Sequence, residues 1–501
     1  MKKRVLLLIV DGLSWRVIGP AIQAGEFPTL CRLAERGLLA PCTSIFPSIT
    51  PAATASIVTG HHPRRHGIQG AFWRDESDER VSYFGDSFRV AAREGLADYV
   101  SDYLRTMNDE LLRVPTLFET VQRSGGKAAS LNLMWRRGLT KHRLAESITA
   151  KLMPGLDPGG TVFGPDFLFL GEFARSTIDE KTVPIPAGLQ NRFGFNDDAS
   201  MAELAALAGV ADTPELIVAY FPNNDFRSHD IGPEQAKSVV LAFDHGLEAI
   251  SKAAGGFDDW LEETAVVIVG DHGHDELVKD KARREVDLAH VFRDKQLTPA
   301  GSNWQDGDEL MICPNMRAVQ INCQPEQRDC QEFVIDRMLS DERVDQVIVP
   351  AGAGRWRVCT RDRGELLFAD TDYGAGMPNT ARTVTDPGGE AWLVDGSLQA
   401  VAASVNADDE ITYADYPDAL SRIALGAPGC QSSLWATAKP GFEFVMPGIS
   451  GHEAGSHGSL HALDSQSVLV AAGFDSANLS HGECCSITDV ANLCCSVLNL
   501  G

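Results

Sequence analysis

Positive charge is scarce in this chain. Its 501 residues carry 44 Lys and Arg against 69 Asp and Glu, a formal net charge of −25. That balance argues against nonspecific binding to nucleic-acid polymers or anionic membranes, because both would be repelled. A small anionic substrate would need positive charge supplied locally by bound metal. Long apolar runs are also absent, and none has the length of a membrane span. Met1-Lys-Lys-Arg and the apolar run Val5–Val10 imitate the start of a signal peptide. The run is too short, however, and it enters Asp11 with no small-residue cleavage site. We therefore expect the first strand of a core, and a cytoplasmic protein. Cys-x2-Cys spacing is missing. The 11 Cys are odd in number and scattered, with vicinal pairs at Cys484-Cys485 and Cys494-Cys495. The expectation is buried free thiols in a reducing compartment. There is no internal repeat and no low-complexity tract. What is present is an ordinary globular composition, 44% apolar and 23% charged, in a chain long enough for one large domain with an insertion or for two domains.

The informative stretches are ends of apolar runs. Thr264–Gly270 reads as a buried parallel strand ending in Asp271-His272-Gly273-His274. Open α/β sheets build their sites at such carboxyl ends. Adjacent residues of a strand point to opposite faces, so Asp271 and His272 share a site only if the chain turns there, which Gly270 and Gly273 permit. A polar turn without function is the alternative. Val5–Val10 ends in Asp11-Gly12, Leu216–Phe221 leads into Asp225 and His229, and Gly455-Ser-His457-Gly458 lies near the end of the chain. With Thr50, these residues suffice for two zinc-like sites of three or four ligands each.

Thr50 precedes Pro51 and a small-residue run, where a helix N-cap belongs. Capping alone would account for it; as a nucleophile it would gain from the same helix terminus. His61, His62 and His66 are dense enough for a metal cluster, but a surface or turn role is preferred. Trp135–Arg143 is basic, and either lines a cleft or forms a solvated helix face. Asp225 and His229, four residues apart, are expected on a loop or short turn before a helix over 233–254. Apolar runs and amphipathic stretches alternate through the first 300 residues, which points to a mostly parallel α/β sheet flanked by helices. Residues 301–440 change character and read as a smaller α+β insertion. We therefore expect a core of 1–300 and 441–501, with 301–440 as a cap.

Several motifs, in order, resemble the alkaline-phosphatase superfamily and, within it, the type I phosphodiesterase/nucleotide pyrophosphatase family. They are Val10-Asp11-Gly12, Phe46-Pro-Ser-Ile-Thr50-Pro51, Ile57-Val-Thr-Gly60, Pro63-Arg-Arg-His66-Gly67-Ile68, Asp225-Phe-Arg-Ser-His229-Asp-Ile-Gly232-Pro233, Gly270-Asp271-His272-Gly273 and Gly455-Ser-His457-Gly458. The resemblance implies two zinc ions, one on Asp225, His229 and His457, the other on Asp11, Asp271, His272 and the Thr50 oxygen. It implies in-line attack of Thr50 on phosphorus and a phosphothreonine intermediate that water hydrolyses. The function expected is cleavage of phosphodiester or pyrophosphate bonds in a small substrate. A phosphomonoesterase or phosphonate hydrolase on the same fold, a metal-dependent phosphomutase and a catalytically weakened binding protein are the alternatives. No Cys/Ser-x-Pro-x-Arg stretch occurs where a sulfatase nucleophile would lie. Many members of the family carry an Asn shortly after the His-Gly-Ile motif as a donor to phosphate; here Ala71 stands in its place. Arg136 and Arg137 are candidate substitutes for that donor.

Overall fold

The structure is a computed structural model, and it describes all residues except 1–2, 76–79, 86, 147–150, 152–154, 179–182, 187, 211–212, 325–329, 353, 427–431, 475–484 and 501. Its central sheet has eight strands in the order Gly37–Thr43, Gln466–Ala472, Thr264–Val269, Arg4–Val10, Leu216–Phe221, Ala128–Leu131, Phe167–Leu170 and Ala174–Arg175. The strands from Thr264–Val269 across to Phe167–Leu170 run parallel. Gln466–Ala472 is antiparallel to both its neighbours, and Ala174–Arg175 to its one.

Burial on both faces explains why these strands read as unbroken apolar runs. Leu6, Leu8 and Val10 pack into one core, under helices that include Trp15–Gln23, Asp197–Ala208 and Lys237–Ala253. Val5, Leu7 and Ile9 pack into the other, under Thr50–Thr59, Leu117–Arg123 and Asp489–Leu498. Arg4–Val10 lies between Thr264–Val269 and Leu216–Phe221. Three neighbouring parallel strands therefore end at the same edge, and their exits carry Asp11, Asp225 and Asp271.

A second sheet has as many strands as the first. It is antiparallel throughout and ordered Leu310–Asn315, Ala318–Cys323, Ser433–Ala438, Val344–Pro350, Arg355–Cys359, Glu365–Asp370, Ala391–Gly396 and Arg382–Thr385. Cys330–Leu339 covers one face and Ala419–Gly426 the other. Two of its pairings are remote in sequence: Ser433–Ala438 lies between Ala318–Cys323 and Val344–Pro350. The free-thiol expectation fails at one pair, since Cys323 and Cys330 form a disulfide. They meet because the end of a strand and the start of a helix are folded together, which a spacing of seven residues does not signal. Cys42, Cys485, Cys494 and Cys495 are free, and Cys484 lies outside the described residues. No described helix is long and apolar enough to cross a membrane.

Candidate active site

The three acids converge tightly. Asp11 follows its strand directly, and its carboxylate accepts from the Tyr220 hydroxyl. The Gly12 amide donates to Asp271 Oδ1 at 3.1 Å, and the His272 amide donates to the same oxygen at 3.0 Å. Asp271 thus accepts at Oδ1, while Oδ2 is buried with no hydrogen-bond partner and lies 3.4 Å from His272 Nε2. Gly12 has a φ of +63°, and a Cβ there would stand 3.0 Å from Asp225 Oδ1. A side chain at this crossing would press on the acids, which accounts for glycine after Asp11.

Thr50 faces the same point. It is the first residue of the helix Thr50–Thr59, and Ile49 rather than Thr50 occupies the cap position. The expected capping role is therefore absent, and the hydroxyl is turned to the acids instead. Thr50 Oγ1 lies 3.4 Å from Asp11 Oδ1 and 3.1 Å from His272 Nε2. Trp135 steadies this turn of helix, donating from Nε1 to the Pro51 carbonyl at 2.7 Å. Arg136 and Arg137 do not serve the role considered for them. Arg136 is 1% exposed, and its guanidinium donates to the carbonyls of Leu104 and Met134. Arg137 is spent on Glu119 and on the carbonyls of Asn108, Leu112 and Val114. The basic stretch is thus neither a substrate-binding rim nor a solvated helix face. Its Arg pair holds the 104–119 backbone, and Thr140–Arg143 is a strand.

Three histidines share one arrangement. Nδ1 of His229, His272 and His457 donates to the carbonyls of Gly455, Gly273 and Ser48, each at 2.8 Å. A carbonyl accepts only, so a hydrogen sits on Nδ1, and Nε2 is the ring nitrogen turned to the acids and the one that would bind a metal. His229 Nε2 is 3.3 Å from Asp225 Oδ2, His457 Nε2 3.6 Å from Asp225 Oδ1, and His272 Nε2 3.3 Å from Asp11 Oδ1. Asp225 and His229 lie on the helix Asn223–Ile231, not on a loop before a later one, so their four-residue spacing puts both on one face. The nearby His274 was quoted with the Asp271 motif but given no role by sequence. Its Nδ1 is 3.1 Å from Asp225 Oδ1. The dyad Asp-His-Gly-His was the available signal. His66 sits apart and fully buried, between the Ser56 hydroxyl and the Ile68 amide, a structural residue under its turn.

The electrostatics suit a bound cation. Burial, and then the charge of Asp225, raises the pKa of Asp11; burial, and then Asp11, pushes that of Asp271 well up. Burial opposes charge on His229 and His272, but Asp225 raises the first to about 9 and Asp271 and Asp11 raise the second to about 10. His229 Nε2, His457 Nε2 and Asp271 Oδ2 are buried without hydrogen-bond partners. Atoms from Asp225, His229, His274 and His457 lie within 4.8 Å of one another, as do atoms from Asp11, Asp225 and His272. Inward imidazole nitrogens, crowded carboxylates and buried atoms without hydrogen-bond partners are a donor set that fits divalent transition metals.

Ala71 is clamped by the second sheet. Asn315 Oδ1 accepts from the amides of Ala71 and Phe72 at 2.8 and 3.1 Å, and a Cβ on Gly70 would lie 2.5 Å from that oxygen. The backbone donor at position 71 is therefore already used.

Residues 5–372 match the family described as Type I phosphodiesterase / nucleotide pyrophosphatase. Among solved structures, phosphonoacetate hydrolase from Sinorhizobium meliloti in complex with phosphonoformate is similar, with a TM-score of 0.59 and 15% identity over 99% of this chain and 96% of that one. Inactive murine ectonucleotide pyrophosphatase/phosphodiesterase 5 in complex with AMP gives a TM-score of 0.56 and 14% identity over 100% and 96%. The human enzyme of that name gives 0.52 and 13% over 100% and 96%. These likenesses show a shared alkaline-phosphatase-like fold.

Proposed function

The chain belongs to the type I phosphodiesterase/nucleotide pyrophosphatase family, a family of phosphoester hydrolases, and from that premise we propose that it is a two-zinc phosphohydrolase that cleaves phosphodiester or pyrophosphate bonds. The observation that carries the reading is the placement of Thr50 Oγ1, 3.1 Å from His272 Nε2 and 3.4 Å from Asp11 Oδ1, beside unpartnered inward acceptors. One metal would be held by Asp225, His229 and His457, and the other by Asp11, Asp271, His272 and Thr50. When bound, the pair supplies Lewis acidity to the attacking and leaving oxygens and lowers the pKa of the threonine hydroxyl. Thr50 Oγ1 forms the new bond to phosphorus as the bond to the leaving oxygen breaks, and water then cleaves the phosphothreonine. Asp11 accepts the hydroxyl hydrogen in the resting site. Tyr220 holds the Asp11 carboxylate, and Trp135 holds the helix turn that aims Thr50. His274 steadies Asp225 from behind. Residues 301–440 are read as the cap that selects the leaving group.

The test combines elemental analysis with turnover of nitrophenyl diesters, nitrophenyl monoesters and phosphonates. The expectation is close to two zinc ions per chain and preference for diesters or pyrophosphates. Activity indifferent to chelator, in a protein free of metal, would sink the reading. Preference for monoesters or phosphonates would move the activity within the same fold.

A further inference from the structure

Arg192, in the segment Leu189–Gly194, contacts the helix Asn223–Ile231 that carries Asp225 and His229. In this segment Arg192 has a φ of +48° and Phe193 a φ of +54°. Two consecutive non-glycine residues in the left-handed region are costly, and such strain persists only where the surroundings impose it. Here they do. The Phe193 amide donates to the Gly188 carbonyl at 2.9 Å, and the Phe193 carbonyl accepts from the Glu172 amide at 2.8 Å. Gly171 packs beneath so closely that a Cβ would stand 2.3 Å from that carbonyl oxygen.

The conformation sets Arg192 over the site's helix. Its guanidinium carbon is 3.6 Å from the ring centre of Phe226, the residue next to Asp225. Phe226 is itself exposed, at 38%. Arg192 is exposed and makes no ion pair among the described residues; its one polar contact is Nη1 to Asn223 Oδ1 at 3.4 Å. Burial lowers its pKa, and the charges of Asp230, Asp197 and Asp225 act against that. A guanidinium stacked on an aromatic face keeps its edge open for a planar or tetrahedral anion. The other cations considered are unavailable, since Arg136 is buried and Arg137 is committed to Glu119.

We propose that Arg192, braced by Phe226 and Asn223, is a specificity residue that binds a second anionic group of the substrate, a carboxylate or a phosphate remote from the scissile phosphorus. The inference rests on the phosphohydrolase reading for the position of that phosphorus. It deepens that reading by naming the substrate class: molecules with two anionic centres. An unpaired exposed cation in a chain of net charge −25 is a selective feature toward such molecules.

The experiment is calorimetric binding to the metal-loaded full chain, so it does not depend on turnover. Alkylphosphonates bearing a terminal carboxylate or a second phosphonate on short linkers are compared with the same alkylphosphonates lacking that group. The unaltered protein should bind one doubly anionic series tighter by roughly tenfold to a hundredfold, the scale of one charge-assisted hydrogen bond. Arg192→Gln should abolish the ratio, and Arg192→Lys should keep part of it. The carboxylate and phosphonate arms tell which anion is read. No preference in the unaltered protein, or a ratio preserved in Arg192→Gln, overturns the proposal. Should Arg192→Gln misfold, Phe226→Leu, which frees the guanidinium from its platform, must reduce the ratio. Metal-free, inactive protein would instead overturn the hydrolase reading.

Discussion

At the scale of single residues, Thr50 separates chemistry from architecture. Its hydroxyl does no capping work, so removing it leaves the helix start to Ile49 and Pro51 as before. Thr50→Ala is therefore expected to lower kcat roughly a thousandfold or more while retaining most metal and an unchanged urea midpoint. Turnover near that of the unaltered protein would assign the nucleophile elsewhere. Ala71 is the second informative position. Charge on the non-bridging oxygens of a transferring phosphoryl group needs donors, and a methyl group offers none. The structure also removes two stand-ins, because the Ala71 amide is taken by Asn315 and Arg136 is buried. Ala71→Asn should raise kcat/KM on a nitrophenyl diester about tenfold, the equivalent of about 1.4 kcal/mol in the transition state. Arg136→Ala should act on stability and metal-independent folding rather than on that ratio. An inert Ala71→Asn would mean that the donor is supplied from elsewhere.

At the scale of elements, the two sheets are joined at a buried charge. Arg317, just before the strand Ala318–Cys323, is 0% exposed and pairs with Asp464 and, at 3.3 Å, with Asp275. Its amide donates to the His457 carbonyl at 3.0 Å, and the Gly273 amide donates to the Asp464 carbonyl at 2.8 Å. One residue of the second sheet thus holds the turn carrying His457 through its backbone amide and the turn after His272 through the Asp464 its guanidinium pairs with. Arg317→Met leaves the buried Asp464 carboxylate without its guanidinium, while Asp275 keeps Arg16 at 3.3 Å, and is expected to cost about 3–5 kcal/mol. Metal affinity should fall with it, and Arg317→Met with Asp464→Asn should recover much of the stability but less of the affinity. Chelator competition against urea unfolding would check the split, and full affinity in a folded Arg317→Met would refute the link. This scale is also where the sequence became hard to read. The parallel strands were legible because two-sided burial writes itself as runs such as Val5–Val10, and their exits named Asp11, Asp225 and Asp271. The second sheet was less so, since its strand Ser433–Ala438 pairs across gaps like that between Cys323 and Ser433. Arg317 and Arg192 carry no local pattern; what they do is created by what the fold sets beside them. The helix under Asp225 was missed because Pro222 and Gly232 punctuate it like a loop.

At the scale of the whole molecule, the convergence of acids makes stability depend on what neutralises them. Asp11, Asp225 and Asp271 are buried together at the ends of adjacent strands, and burial plus mutual repulsion raises the pKa of Asp11 and Asp271. Ionised, these two therefore oppose folding in the metal-free protein as pH rises through their folded-state values. A ligand that binds only the folded state adds about 4 kcal/mol at a thousand times its Kd, so stripping the metal should lower the urea midpoint accordingly. Asp271→Asn distinguishes this from general loosening. Its Oδ1 can still accept from the Gly12 and His272 amides, while the change falls on Oδ2, which has no hydrogen-bond partner and faces His272 Nε2 at 3.4 Å. The variant loses a ligand and a repulsive charge at once. With metal it should be less stable than the unaltered protein; without metal, at neutral pH, it should be more stable. A crossing of the two urea curves between metal-loaded and chelated protein is the expected result. Destabilisation by Asp271→Asn under both conditions would mean that its attraction to His272 outweighs its repulsion from Asp11.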